Sequence, residues 1–163
     1  MLRFLDQLDN QDRRILDEMQ RDGRMTASDL AGRVHMSTSA AQKRLRKLER
    51  LGYITGYRAH LDPRAVDQAY LVYVQVKLSD TTRATLDKFN SAVLEEPHIL
   101  SCDMLTAGFD YLLKVRCADM QAFTALHGDV ISALPGVQQT FSFPVMMEIK
   151  DTTALVISRN ARP

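Results

Sequence analysis

The chain has 163 residues, 45% hydrophobic and 25% charged, with a formal net charge of +1. This balance excludes disordered, collagen-like and disulfide-stapled chains, and no stretch approaches the roughly 20 apolar residues of a membrane span. The N-terminal MLRFLDQLDN acquires acidic residues too early for a signal-peptide core, and two cysteines, Cys102 and Cys117, suit a reducing compartment. A cytoplasmic protein without a membrane partner is therefore expected. The charge is unevenly spread. Residues 1–62 hold three more cations than anions, concentrated in Lys43, Arg44, Arg46, Lys47 and Arg50, while residues 63–163 are net acidic. A basic run in a near-neutral protein predicts a focused electrostatic footprint.

Three helices are predicted first. Leu8, Ile15, Leu16 and Met19 form an apolar stripe that stops at Asp22-Gly23. Thr26, with Asp29 three residues on, opens a second helix whose buried face is Ala27, Leu30, Ala31 and Val34. Ser37 caps a third, running to about Leu51 before Gly52. The link Val34-His35-Met36-Ser37 is so short that these helices must cross steeply, as in a helix-turn-helix. At about 100° per residue, Ala41, Leu45 and Leu48 share one face of the third helix. Ser39, Lys43, Arg46 and Arg50 fall on the opposite face, so a basic stripe points outward. Residues 53–58 are expected to form a hairpin, or wing, closing a DNA-binding domain over residues 1–61.

Asp62-Pro63 begins a linker, 62–68, after which the pattern changes. Residues 70–78 alternate as a strand, apolar on both faces in its first half. Leu86, Phe89 and Val93 mark a helix at 83–95, and strands follow at about 99–105 and 110–117 around the loop Thr106-Ala107-Gly108-Phe109. A second helix runs from Met120 towards Pro135-Gly136, and a last strand runs from Val137 to about Ile149, interrupted by Pro144. The order βαββαβ predicts an α+β chain: a winged helix-turn-helix, then a ferredoxin-like domain over 69–150, then a polar tail, 151–163. Both helices lie on one sheet face, so the other needs cover, most economically from a second copy.

The chain resembles the Lrp/AsnC, or feast/famine, transcriptional regulators from about Leu5 to Lys150, closest to the leucine-responsive branch. In the first domain the likeness rests on Leu8-Asp9, Ile15-Leu16, Asp22-Gly23-Arg24, Asp29-Leu30-Ala31, Met36-Ser37 and Arg44-Leu45-Arg46-Lys47-Leu48-Glu49. In the second it rests on Gly108-Phe109-Asp110-Tyr111-Leu112-Leu113, Leu134-Pro135-Gly136-Val137 and Ile149-Lys150. The resemblance implies DNA binding through the winged domain, amino-acid sensing in the αβ domain, and homodimers that assemble to octamers. Three positions depart from the family pattern: His35 replaces the turn glycine, Ala107 stands where threonine or serine usually precedes the loop glycine, and Pro144 interrupts a strand usually β-branched. Histidine visits left-handed backbone more readily than most residues.

A recognition helix places small and polar residues at its tip with cations beside them. Ser37, Thr38, Ser39, Gln42 and Lys43 fit the tip, with Arg44, Arg46 and Lys47 for phosphates or a base edge. An amino-acid effector needs an anion site and an acceptor for its ammonium. Thr106, Ala107, Gly108 and Phe109 offer backbone amides, and Asp110 is the neighbouring carboxylate. His35, His60, His98 and His127 lack metal-ligand spacing, Glu95-Glu96 sits at a helix end, and no nucleophile elbow, P-loop or dinucleotide fingerprint occurs. No enzyme, metal or cofactor is expected. The reading is a cytoplasmic, nucleoid-associated regulator that binds double-stranded DNA specifically and responds to an amino acid. The alternatives are an architectural DNA-binding protein or the amino-acid-binding regulatory subunit of an enzyme.

Overall fold

The computed structural model describes residues 8–157. Leu5, the acidic-containing start of the chain and the end of the expected tail, 158–163, lie outside the described residues. The described residues divide into two compact units: one holds residues 8–60 with 150–157, the other residues 61–149.

In the first unit α1 (Asn10–Arg21), α2 (Ala27–Val34) and α3 (Thr38–Arg50) form under local control. Each carries a side-chain N-cap that satisfies amides at its start: Asp9 accepts from Gln11 and Asp12, Thr26 from Asp29, and Ser37 from Ala40. Thr26 also donates its hydroxyl to Asp29 at 2.6 Å, completing the variant capping box. The helix-turn-helix link turns at His35, whose φ of 55° and ψ of 53° place it in the left-handed region expected of the usual glycine. Ile15, Leu16, Met19, Leu30, Ala31, Val34, Ala41 and Leu48 make the core, with Leu45 packed against it. Ala27 is only half-buried, at the first position of α2.

The expected hairpin at 53–58 is absent: residues 55–62 carry no strand pairing. Tyr57 lies against the helices instead, its hydroxyl donating to Glu49 at 2.8 Å. Its phenol is pushed up to about 12 by partial burial and the Glu49 carboxylate. The segment after Lys150 also belongs here. Gln20 at the end of α1 donates to the Leu155 carbonyl at 3.0 Å and accepts from the Leu155 amide at 2.6 Å, while Ile157 packs on the core. Within the described residues, the expected tail thus docks on α1 through Leu155 and on the core through Ile157.

The second unit contains β1 (Tyr70–Leu78), α4 (Arg83–Glu95), β2 (Ile99–Met104), β3 (Tyr111–Cys117), α5 (Met120–Asp129) and β4 (Val137–Pro144). The expected linker carries a 3-10 turn at Pro63–Val66, capped by Asp62, and another 3-10 turn at Ile131–Ala133 follows α5. The sheet order is β2-β3-β1-β4, antiparallel throughout. Pro144 ends β4 because it has no N–H for the ladder; beyond it, Val145 makes one more bond, to Leu71. Alternation along β1 sends Val72, Val74, Val76 and Leu78 into a core shared with Phe89, Leu113, Val115, Phe123 and Ile131. Gly136 is required where the second 3-10 turn leads into β4: its φ is +78°, and a Cβ there would lie 2.5 Å from Thr85 Cγ2. Cys102 and Cys117 are both free thiols, Cys102 opposite Leu113 rather than Cys117.

Register also defines the other sheet face. Tyr73 lies opposite Lys114 and Phe143, and Gln75 opposite Leu112 and Phe141. Phe141 and Phe143 are 50% and 48% exposed, an aromatic surface left half open among the described residues. Polar cover is local: Arg116 and Lys114 both pair with Glu148.

Candidate DNA interface and ligand loop

Helix α3 presents its exposed face as the wheel predicts. Ser37, Thr38, Ser39, Gln42, Lys43, Arg46 and Arg50 are all exposed. Ser37 Oγ lies 3.3 Å from both the Ala40 amide and Ser39 Oγ, so the helix tip combines a cap with a hydroxyl pair. The residues brought together are small and polar at the N-terminal end and cationic along the outer face, complementary to base edges and phosphates respectively.

Arg44 and Lys47 sit elsewhere. Expected beside the tip as phosphate or base-edge ligands, they turn to α1 instead. One nitrogen of Arg44, Nη1, lies 2.5 Å from Asp9 Oδ2 and 2.7 Å from Asp12 Oδ1. Lys47 Nζ lies 3.5 Å from Asp12 Oδ2. Asp12 is wholly buried, so its carboxylate requires compensation by cations. Partial burial works against ionisation of Asp9, but the Asp12 amide and the Arg44 guanidinium outweigh it and hold Asp9 below its ordinary value. The two carboxylates in turn hold the Arg44 guanidinium more firmly protonated than usual. Sequence reasoning overlooked Asp9 and Asp12, although their spacing from one turn of α1 was a readable signal.

The second unit offers the loop between β2 and β3. Thr106, Ala107 and Gly108 are exposed, and Phe109 is half-buried. Gly108 has φ +82°, a conformation that side chains adopt at a cost. Phe109 donates to Ala107 at 3.1 Å and Leu105 donates to Asp110 at 2.9 Å, closing the loop. Among the described residues the amides of Thr106, Ala107 and Gly108 have no partner within the chain. Asp110, expected beside the loop as an ammonium acceptor, is buried at the end of β1. Its Oδ2 accepts from the Leu78 amide at 2.8 Å, and its Oδ1 from Lys77 Nζ at 3.1 Å. Both oxygens therefore anchor the loop to the sheet.

A helix-turn-helix with an exposed basic recognition helix, joined to an α+β ligand-binding domain, defines a DNA-binding transcriptional regulator. Comparison with known families gives the same architecture: residues 8–55 match a winged helix-turn-helix DNA-binding model, and residues 71–155 match the Lrp/AsnC ligand binding domain. The chain belongs to the Lrp/AsnC family. It is 42% identical over 150 residues to the leucine-responsive regulatory protein of Klebsiella pneumoniae, covering 92% of each chain. The leucine-responsive regulatory protein of Escherichia coli K12 is 41% identical over the same length and coverage. Among solved structures, a transcriptional regulator of Neisseria meningitidis in complex with L-Met superposes with a TM-score of 0.87 at 36% identity, covering 91% of this chain and 96% of that one. An AsnC family regulator from Agrobacterium tumefaciens also gives 0.87, at 31% identity over 91% and 97%.

Proposed function

We propose that this regulator binds double-stranded DNA sequence-specifically through α3 and that an amino acid bound at the 106–109 loop changes its assembly or DNA affinity. The observation that carries the DNA half is the continuous exposed surface of Ser37, Thr38, Ser39, Gln42, Lys43 and Arg46. The cations supply phosphate neutralisation, and the polar tip reads base edges. The ligand half rests on the amides of Thr106, Ala107 and Gly108, which have no partner among the described residues and are available to a carboxylate. The complex of the Neisseria relative with L-Met supports the amino-acid class. Asp110 serves this site by pinning the loop.

The aromatic sheet face supports a homodimer, with octamers as the higher assembly. Half-exposed Phe141 and Phe143 would bury against a second copy, and each fully buried aromatic side chain contributes about 1.5–3 kcal/mol. A two-fold dimer presents two recognition helices to half-sites a helical turn or a multiple apart. Such a protein works in the cytoplasm, on the nucleoid. The test is a titration onto its own upstream DNA and onto a scrambled control, with and without all twenty amino acids. Selective binding that shifts with the mixture is expected. Equal binding to both DNAs would favour an architectural protein, and selective binding indifferent to the mixture would remove the effector role of the loop.

A further inference from the structure

The cations of α3 divide by angle. From Ala41 at the centre of the buried face, Arg44 lies at about 300° and Lys47 at about 240°, on the flank facing α1. Lys43 and Arg46 lie at about 200° and 140°, and Arg50 at about 180°, on the outward face. The carboxylates that meet the flank are placed by α1 itself. Asp9 is held by its capping bonds to the Gln11 and Asp12 amides, at 2.9 and 2.8 Å, which leave Oδ2 aimed at Arg44. Asp12 is one turn further on and has no exposure, so its charge has no water to turn to. Its Oδ2 makes no hydrogen bond among the described residues; Lys47 Nζ lies 3.5 Å away as an ion pair. Arg44 therefore carries most of the compensation, from a single nitrogen.

We propose that Asp9 and Asp12 occupy Arg44 as internal stand-ins for phosphate, making Arg44 a positioning residue that sets α3 on α1 rather than a DNA ligand. Lys47 is held on the same flank. The DNA-facing cations are then Lys43, Arg46 and Arg50, and the site reads sequence through an orientation fixed by charges that never touch the duplex. Breaking a buried carboxylate from a cation hydrogen-bonded to it is strongly unfavourable, so the arrangement persists when a phosphate approaches. This inference rests on the DNA interface proposed above and assigns which cations of that interface neutralise phosphate.

The salt dependence of DNA binding separates the two roles, since each phosphate neutralised contributes about 0.9 to the log–log slope. Arg44→Gln alone strands the Asp12 charge, so the informative variant is the double D12N/R44Q, its folding checked by thermal unfolding. Arg46→Gln is the control and is expected to flatten the slope by about 0.9. D12N/R44Q is expected to keep the wild-type slope while the preference for own over scrambled DNA falls about tenfold. A slope flattened as in Arg46→Gln would make Arg44 a phosphate ligand and overturn the proposal. An unchanged slope with unchanged preference would overturn it equally, leaving Arg44 no positioning role. A second measurement needs no variant: the guanidinium NMR signals of Arg44 in the wild type stay rotationally hindered and unshifted on adding DNA, while those of Arg46 move. Arg44 signals that move together with those of Arg46 refute the proposal. If Arg46→Gln and Lys43→Gln leave the slope unchanged, the interface itself is misplaced, and the proposal falls with it.

Discussion

Replacing Asp110 tests whether the carboxylate beside the ligand loop belongs to the fold. Its Oδ2 is the acceptor for the Leu78 amide, and Leu78 is 2% exposed, so Asp110→Ala leaves that amide without a partner where water is scarce. An unsatisfied buried donor costs about 1–3 kcal/mol, and the lost bond is charge-assisted, worth about 1.5–3 kcal/mol before overlap between the two figures. Lys77 contributes little, because its side chain is 45% exposed and a surface ion pair is worth about 0–1 kcal/mol. The expected losses are therefore about 2–4 kcal/mol for Asp110→Ala, and at most about 1 kcal/mol for Lys77→Met. Asp110→Asn keeps an acceptor for Leu78 and is expected to cost no more than about 1 kcal/mol. Urea unfolding followed by circular dichroism measures all three. A loss below about 1 kcal/mol for Asp110→Ala, or an equal loss for Lys77→Met, would refute the anchoring argument. The same reasoning predicts that Asp110→Asn retains the amino-acid response. Loss of response at unchanged stability would instead assign the carboxylate to the ligand.

Two other outcomes follow from the geometry. The double variant F141K/F143K puts two cations on the exposed aromatic sheet face and is expected to convert the proposed dimer to monomer, read by light scattering after size exclusion; an unchanged mass would move the interface elsewhere. Asp9 titrates below its ordinary value of 3.8 when folded, so its contribution to stability is complete above that value and is lost as pH falls through the lower folded value. Asp9→Asn, which keeps a good N-cap, is therefore expected to flatten the fall in stability below about pH 4, measured by urea midpoints from about pH 5 downwards; an identical fall would remove Asp9 from the pairing.

Local order was legible in the sequence wherever it depended on neighbours a few residues apart. The apolar spacing of Ile15, Leu16 and Met19, the caps at Thr26 and Ser37, and the alternation of residues 70–78 each specified an element at its observed place. Periodicity also aimed the outward stripe of α3, because a helix of 3.6 residues per turn fixes the direction of every side chain about its own axis. What a side chain meets in that direction is a matter of distance between elements. Arg44 finds Asp9 and Asp12 more than thirty residues away, and Asp110 finds the Leu78 amide 32 residues back along the chain. Leu155 returns to Gln20 across 135 residues, and Tyr57 leaves its expected hairpin for Glu49. The sequence alone thus determined the element order and which face of α3 looks outward, since these rest on short-range period and capping, and it carried the family in the motifs of its resemblance. Only the tertiary structure decided which charges are already occupied, because an ion pair forms where packing brings a buried carboxylate within reach of a cation, and no local pattern encodes that approach.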